Sequence, residues 1–395
     1  MRPEEKWKPG FWTYLFLLIL AAGGVVTVLR YWKGLGAVTN LSDRYPWGLW
    51  VGFDVLCGVG LAAGGFTITT AVYVFNLKRF KPIVRPTIVT AFLGYLLVAV
   101  GLMYDLGRPW NIWHPLVMWN PHSPMFEVSW CVMCYLTVLA LEFSGMVFER
   151  LGWSRAVAIQ HAATVPLVIA GAIISTLHQS SLGTFYLIMP AKLHAIWYTP
   201  WLPVMFYLSA ICGGLAMMIV ESRISSRALG RGLEMPLLQS IGKALFVALG
   251  VYGAARIADL ASRGVLGAAF SSSREAFFFQ LELAIGVILP MALLATRAVR
   301  RNTGRLYSAA VLVVAGFIMD RLNVSITGLE ASQGGRYFPT AAEGIISIML
   351  VAIGVAAFAL AVRFLPVMHR VEQPEPAVSA TEAAPALLAA VPVRS

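Results

Sequence analysis

The chain has 395 residues, 58% hydrophobic and 12% charged, with a mean hydropathy of +0.74, and it repeats apolar runs of membrane-spanning length. These figures exclude a soluble domain of useful size and make it an all-α, polytopic membrane protein. A net charge of +11 would suit nucleic acid, but the basic residues gather in alternate short loops, which is a topology signal and argues against a nucleic-acid partner.

Ten spans are predicted, at about 11–29, 46–75, 86–104, 124–148, 157–176, 197–220, 241–259, 276–298, 306–324 and 341–365. Span 1 contains Ala21-Ala22-Gly23-Gly24, a cleavage-like run, yet its apolar stretch continues to Leu29, so it reads as a retained helix. Residues 1–10 form a short cytoplasmic segment, and from 366 to 395 the chain turns rich in Ala, Pro, Glu and Val and reads as a disordered cytoplasmic tail. Lys and Arg number 17 in the amino-terminal segment, the even-numbered loops and the tail, against 8 in the odd-numbered loops. Both termini are therefore expected in the cytoplasm of a bacterial inner-membrane protein.

The stretch from Tyr45 to Arg108 is the most informative. Span 2 opens on YPWGLWVGFD, where Gly48 and Gly52, then Gly60 and Gly64, stand four apart and let another helix approach. Asp54 lies within it, about 12 Å from Pro46 at 1.5 Å per residue. Asp105 and Arg108 close span 3, Glu127 opens span 4, and His178-Gln179-Ser180 closes span 5. Trp47, Trp50, Trp110, Trp113 and Trp130 crowd the same ends as an interfacial belt.

With cytoplasmic termini, all of these polar residues fall toward the periplasmic side. Ionisable side chains at membrane depth are costly and imply a function by default. Converging on one pocket, they suit a quinone, whose ring needs apolar walls and whose oxygens need partners that also exchange protons. His178 is the natural partner for one oxygen, with Asp54 or Glu127 carrying the proton. The plainer alternative is structural: an end-of-helix Asp105–Arg108 ion pair and a satisfied interfacial histidine. Glu142, deeper in span 4, extends a possible proton path toward the cytoplasm, while Glu149 and Glu221 pair with basic loops. Arg256, Asp259, Glu282, Asp320, Arg321, Asn323 and Glu343 form a second collection, read as charge neutralisation between helices, with a second relay as the sharper alternative.

A weak repeat appears at a shift of four spans: Tyr45-Pro46-Trp47 echoes Tyr198-Thr199-Pro200-Trp201, and Asp105 to Glu127 echoes Asp259 to Glu282. Such a shift preserves direction, so two parallel-related four-helix bundles, about 46–176 and 197–324, are expected with spans 1 and 10 outside them. A secondary transporter would share repeats and buried carboxylates, but its site would sit at the midplane between broken helices.

The six histidines do not pair for haem. Only His161 and His178 lie near membrane depth, toward opposite faces. Cys57, Cys131, Cys134 and Cys212 lie inside helices, and Cys131-x-x-Cys134 has no second pair to complete a cluster or zinc site. No haem, iron–sulfur cluster or metal is expected, so electrons must reach the quinone from another subunit.

The segments PWGLWVGFD, AAGGF, AVYVFN, the D-x-G-R-P-W-N run at 105–111, FE at 126–127, ALEFSGMVFERLGW at 140–153, LHQSSLG at 177–183 and RYFPTAAE at 336–343 resemble the NrfD/PsrC (polysulfide reductase) family. Within it they resemble the HybB branch, membrane subunits of periplasm-facing nickel–iron hydrogenases. The resemblance runs from span 1 to span 10 and is weakest in span 7 and around Asp320. It implies a haem-free, quinone-interacting subunit that works with a periplasmic ferredoxin-like iron–sulfur subunit and the menaquinone pool, in some members moving protons. It carries function onto Asp54, Asp105, Arg108, Glu127, His178 and Gln179. A hydrogenase is the first expectation for the catalytic partner. A sulfite-reduction-associated or molybdenum oxidoreductase complex is the alternative.

Overall fold

The computed structural model describes residues 10–189, 192–229 and 235–367. The expected amino-terminal segment before Gly10 and the expected tail beyond Val367 lie outside these residues. Among the described residues every regular element is helical. Ten helices are long and apolar enough to cross a membrane: α1 (Phe11–Lys33), α2 (Trp50–Tyr73), α3 (Lys78–Asp105), α4 (Pro124–Leu151), α5 (Ser154–Leu187), α6 (Leu202–Arg227), α7 (Met235–Ser262), α8 (Arg274–Ala295), α9 (Thr303–Gln333) and α10 (Ala341–Phe364). In hydrocarbon the backbone must satisfy its own donors and acceptors, which is why apolar runs of this length become helices.

Local signals set the ends. Pro124 begins α4, and Gly152 ends it at a φ of 72°, a left-handed conformation that glycine adopts without steric cost. α5 starts two residues later, making a tight antiparallel hairpin. Thr340 and Glu343 form a reciprocal capping box at the start of α10.

α2, α3, α4 and α5 pack as one ring of four helices, and α6, α7, α8 and α9 as a second. α1 and α10 pack on one another, and α10 leans on α3. The first helix of each ring is the most enclosed, 72% of the α2 window and 61% of the α6 window being buried, so the two rings meet there. α2 and α6 cross at Gly64 and Gly214; a methyl on Gly214 would come within 2.9 Å of the Ala63 carbonyl carbon, so only glycine permits this approach.

Several boundaries move by a few residues, and two carboxy-terminal ends run furthest past expectation. α5 runs on to Leu187, so His178 and Gln179 lie inside the helix and do not close it. Their polarity marks burial against neighbouring helices, which a reading of hydropathy mistakes for a span end. α9 likewise continues to Gln333 through a π-helical stretch at Asn323–Thr327. One end of the rings carries Lys78, Arg79, Lys81, Arg150, Arg155, Arg300 and Arg301 at helix ends and in loops, while Asp105, Glu127 and the exposed Trp110, Trp113 and Trp119 lie at the other.

Candidate functional site

α2 enters the fold as a π-helical stretch, Trp50–Val55. Such a turn widens the helix and often accompanies function. Trp50 anchors it by donating Nε1 to the Glu343 carbonyl at 3.1 Å. Asp54, 9% exposed, accepts a hydrogen bond from Ser347 of α10 at 2.6 Å. Gly101 of α3 lies against it; a Cβ there would stand 3.2 Å from the Asp54 Cβ, so the missing side chain lets α3 close on the carboxylate.

One turn along α3, Asp105 lies within electrostatic reach of Asp54, and its Oδ1 is buried without a hydrogen-bond partner among the described residues. Arg30 of α1, 3% exposed, brackets it by donating Nε to the Tyr104 carbonyl at 2.7 Å and Nη2 to the Leu106 carbonyl at 2.6 Å. Glu343 closes the cluster, accepting from the Tyr337 hydroxyl and, at 3.0 Å, from the Asn40 amide. Burial and the Glu343 acceptor push the Tyr337 phenol well above its ordinary range, so it stays a donor.

A second polar group runs through the interior of the first ring. On α4, Glu127, Cys131 and Tyr135 stand four residues apart, and Glu142 follows seven later; on α5, Ser175, His178 and Ser181 stand three apart. Both spacings keep one helical face, and the two stripes meet with Tyr95 of α3 between them. Ser181 donates to Glu127 Oε1 at 2.5 Å. Tyr95 stacks edge-on against Tyr135 at 4.6 Å between ring centroids and lies 5.7 Å from the His178 ring. Gln179 donates to the Val59 carbonyl at 3.1 Å. That carbonyl is free because the Ala63 amide turns instead to Gly60.

What distinguishes this row is incompleteness. The Tyr95 and Ser175 hydroxyls, both His178 nitrogens and the Gln179 Oε1 are buried with no hydrogen-bond partner among the described residues. Buried polar atoms are paired in the great majority of cases, each orphan costing about 1–3 kcal/mol. Five such atoms lie side by side here, the densest group of unsatisfied polar atoms among the described residues. From Glu127 to Glu142 the row spans about 22 Å at 1.5 Å per residue, and Glu142, 9% exposed, forms no ion pair among the described residues.

The six expected residues therefore do not share one pocket. Asp54 and Asp105 belong to the cluster between α1, α2, α3 and α10, while His178 and Gln179 lie deeper in the first ring with Glu127 at its mouth. Arg108 stands apart, exposed and without an ion pair to Asp105. The helix ends at Asp105 and the chain turns extended at Leu106, carrying Arg108 outward, while Arg30 bonds the backbone carbonyls on either side of Asp105 without pairing with its carboxylate. Glu149 pairs with Arg85 at 2.6 Å, as the loop reading expected. Tyr95, Ser175, Ser181, Arg30 and Ser347 are additions. The regular spacing on α4 and α5 was present in the sequence, whereas nothing local pointed to Arg30 or Ser347.

Residues 37–331 match the protein family described as polysulphide reductase, NrfD. The chain is 38% identical to a protein of Nitratidesulfovibrio vulgaris over 89% of its length and 93% of the relative. It is 32% identical to the probable Ni/Fe-hydrogenase 2 b-type cytochrome subunit of Escherichia coli, covering 88% of this chain and 90% of that one. It is also 28% identical to the menaquinone reductase integral membrane subunit of N. vulgaris, over 89% and 90% respectively. The b-type cytochrome in the second name is not matched by a ligand pair among the described residues. His161 and His178, the histidines within the spans, stand seventeen residues apart on one helix, about 26 Å along its axis.

Proposed function

Because this chain belongs to the NrfD polysulphide reductase family, we propose that it is the quinone-interacting membrane subunit of a respiratory redox complex. In this reading it anchors a periplasmic ferredoxin-like iron–sulfur subunit and a catalytic subunit, and passes electrons to or from menaquinone. The Asp105 end of the bundle faces the periplasm, the basic loops and both termini facing the cytoplasm of the inner membrane. The observation that carries the reading is the row of unpartnered buried polar atoms from Tyr95 to Gln179, open to Glu127 at one end and Glu142 toward the other.

The quinone ring sits at the Asp54–Asp105 cluster. Asp105, whose Oδ1 is buried without a hydrogen bond among the described residues, would hold a quinone oxygen through a shared proton, and Asp54, held on its other side by Ser347, would exchange that proton. Arg30 keeps Asp105 in place through the two backbone carbonyls beside it. The bound quinone supplies the two-electron chemistry. The chain binds it, orients it and moves protons, with Glu127, Tyr95, His178, Gln179 and Glu142 providing a route across the first ring.

A nickel–iron hydrogenase is the catalytic partner favoured by the E. coli relative. The menaquinone reductase relative, and a selenate reductase subunit of Mesobacillus selenatarsenatis at 24% identity, support a different oxidoreductase in the same place. Affinity purification of the tagged chain from its own membranes, with mass spectrometry of what co-purifies, separates the two. The quinone cluster is tested by Asp54→Asn and the polar row by His178→Ala in the assembled complex, each expected to lower menaquinone-analogue turnover by at least tenfold. Unchanged turnover in both would leave only an anchor.

A further inference from the structure

The second ring holds charges that neither the quinone cluster nor the proton row uses. Asp259 of α7 is fully engaged, accepting from Thr199 at 2.6 Å and from Arg263 at 3.0 and 2.7 Å. One turn deeper, Arg256 is 1% exposed, yet its Nε and Nη2 donate to nothing among the described residues. Its nearest carboxylate oxygen, Oε1 of Glu282 on α8, is 3.9 Å from Nη2, too far for a hydrogen bond. The other oxygen of Glu282 accepts from Asn323 at 2.8 Å and Trp197 at 3.3 Å.

Asp320 of α9 completes the group. Its Oδ2 pairs with Arg321, which continues to Ser209 at 2.8 Å and lies between the Phe206 and Phe317 rings. Its Oδ1 has one long contact, 3.4 Å, from the Tyr252 hydroxyl. Between Arg256, Glu282, Asp320 and Tyr252 lies a cavity with about 20 Å³ of space for the centre of a water molecule. One water needs roughly 10–15 Å³, which the cavity offers, and Arg256, Glu282, Asp320 and Tyr252 line it among mostly apolar side chains.

We propose that a single water occupies this cavity, accepting from Arg256 and donating to Glu282 Oε1 and Asp320 Oδ1, and that the bridged carboxylates form a proton-exchange site of the second ring. A proton on Glu282 passes to the water as the water passes one of its own to Asp320. The water is regenerated, no electron moves, and one proton has crossed the cavity. Arg256 and Arg321 balance the two carboxylates when both are ionised, and Asp259 has its own partner in Arg263, so an added proton unbalances the group. The site itself does not depend on a quinone being bound.

The test uses the full chain in lipid nanodiscs and infrared difference spectra recorded on a pH jump in H2O, D2O and 18O-labelled water. The wild type should show a carboxyl band that moves in D2O and a water O–H band that moves with the 18O label. Glu282→Gln should remove one carboxyl signal and shift that of Asp320, and Asp320→Asn should do the reverse. Val313→Leu and Cys212→Leu, which add bulk to the cavity wall without touching a charge, should lose the water band and the coupling while thermal unfolding stays close to wild type. A water band that survives both filling variants, or an Asp320 band unmoved by Glu282→Gln, overturns the proposal. Should Asp320→Asn fail to fold, the Glu282→Gln and filling variants still decide.

Discussion

Tyr95→Phe separates a proton-handling row from ordinary core packing. The Tyr95 side chain is fully buried, and its hydroxyl lies beside Ser175 and Gln179 but makes no hydrogen bond of good geometry among the described residues. Deleting that hydroxyl removes an unsatisfied polar atom and leaves in place the ring contacts to Tyr135 and His178 at 4.6 and 5.7 Å. Since a buried orphan costs about 1–3 kcal/mol, the variant should unfold at the same temperature as the parent or higher. A proton relay interrupted at one member loses on the order of 10²-fold or more in rate. Thermal unfolding in detergent and menaquinone-analogue turnover by the assembled complex, measured on one preparation, give both quantities. Turnover within twofold of the parent, together with a loss of several kcal/mol in stability, would refute the assignment and make Tyr95 a packing residue.

Other outcomes follow from the same geometry. Gly214→Ala places a methyl 2.9 Å from the Ala63 carbonyl carbon, so the rings must part; a loss of about 1–3 kcal/mol is expected by thermal unfolding, and a neutral result would mean that the α2–α6 crossing is loose. Ser347→Ala strips the 2.6 Å hydrogen bond from Asp54 and should change quinone affinity or turnover tenfold or more, a bond to a charged group being worth about 1.5–3 kcal/mol. Glu142→Gln should slow proton uptake by the assembled complex while leaving binding of a quinone analogue intact, which equilibrium binding and a pH-sensitive dye report together. The phenol of Tyr337 is raised in the folded protein, so the stability it contributes is fully present below the unfolded value of about 10 and is lost as pH rises above it. A melting temperature that falls with alkaline pH in the parent, and falls less in Tyr337→Phe, is expected.

Much of the fold was legible from residue order alone. Ten apolar runs become ten helices because a bilayer leaves the backbone no other way to satisfy itself, and the closely spaced glycines of α2 announced a tight crossing before its partner was known. The echo of Tyr45-Pro46-Trp47 at Tyr198-Thr199-Pro200-Trp201 matches the heads of the two rings. Buried charge was legible too, since Asp54, His178, Arg256 and Asp320 stand out against their apolar surroundings.

Grouping was not. Whether the arginine beside Asp105 is Arg108, three residues away, or Arg30, seventy-five residues away, depends on how α1 lies against α3, and local spacing says nothing about that. The end of α5 was misplaced for a related reason: hydropathy treats His178 and Gln179 as if they faced lipid or water, whereas packing gives them a helical interior. The water-sized gap beside Arg256 belongs wholly to tertiary structure. A distance of 3.9 Å between guanidinium and carboxylate is set by where α7 and α8 come to rest, and helices rest where side chains distant in sequence fit together.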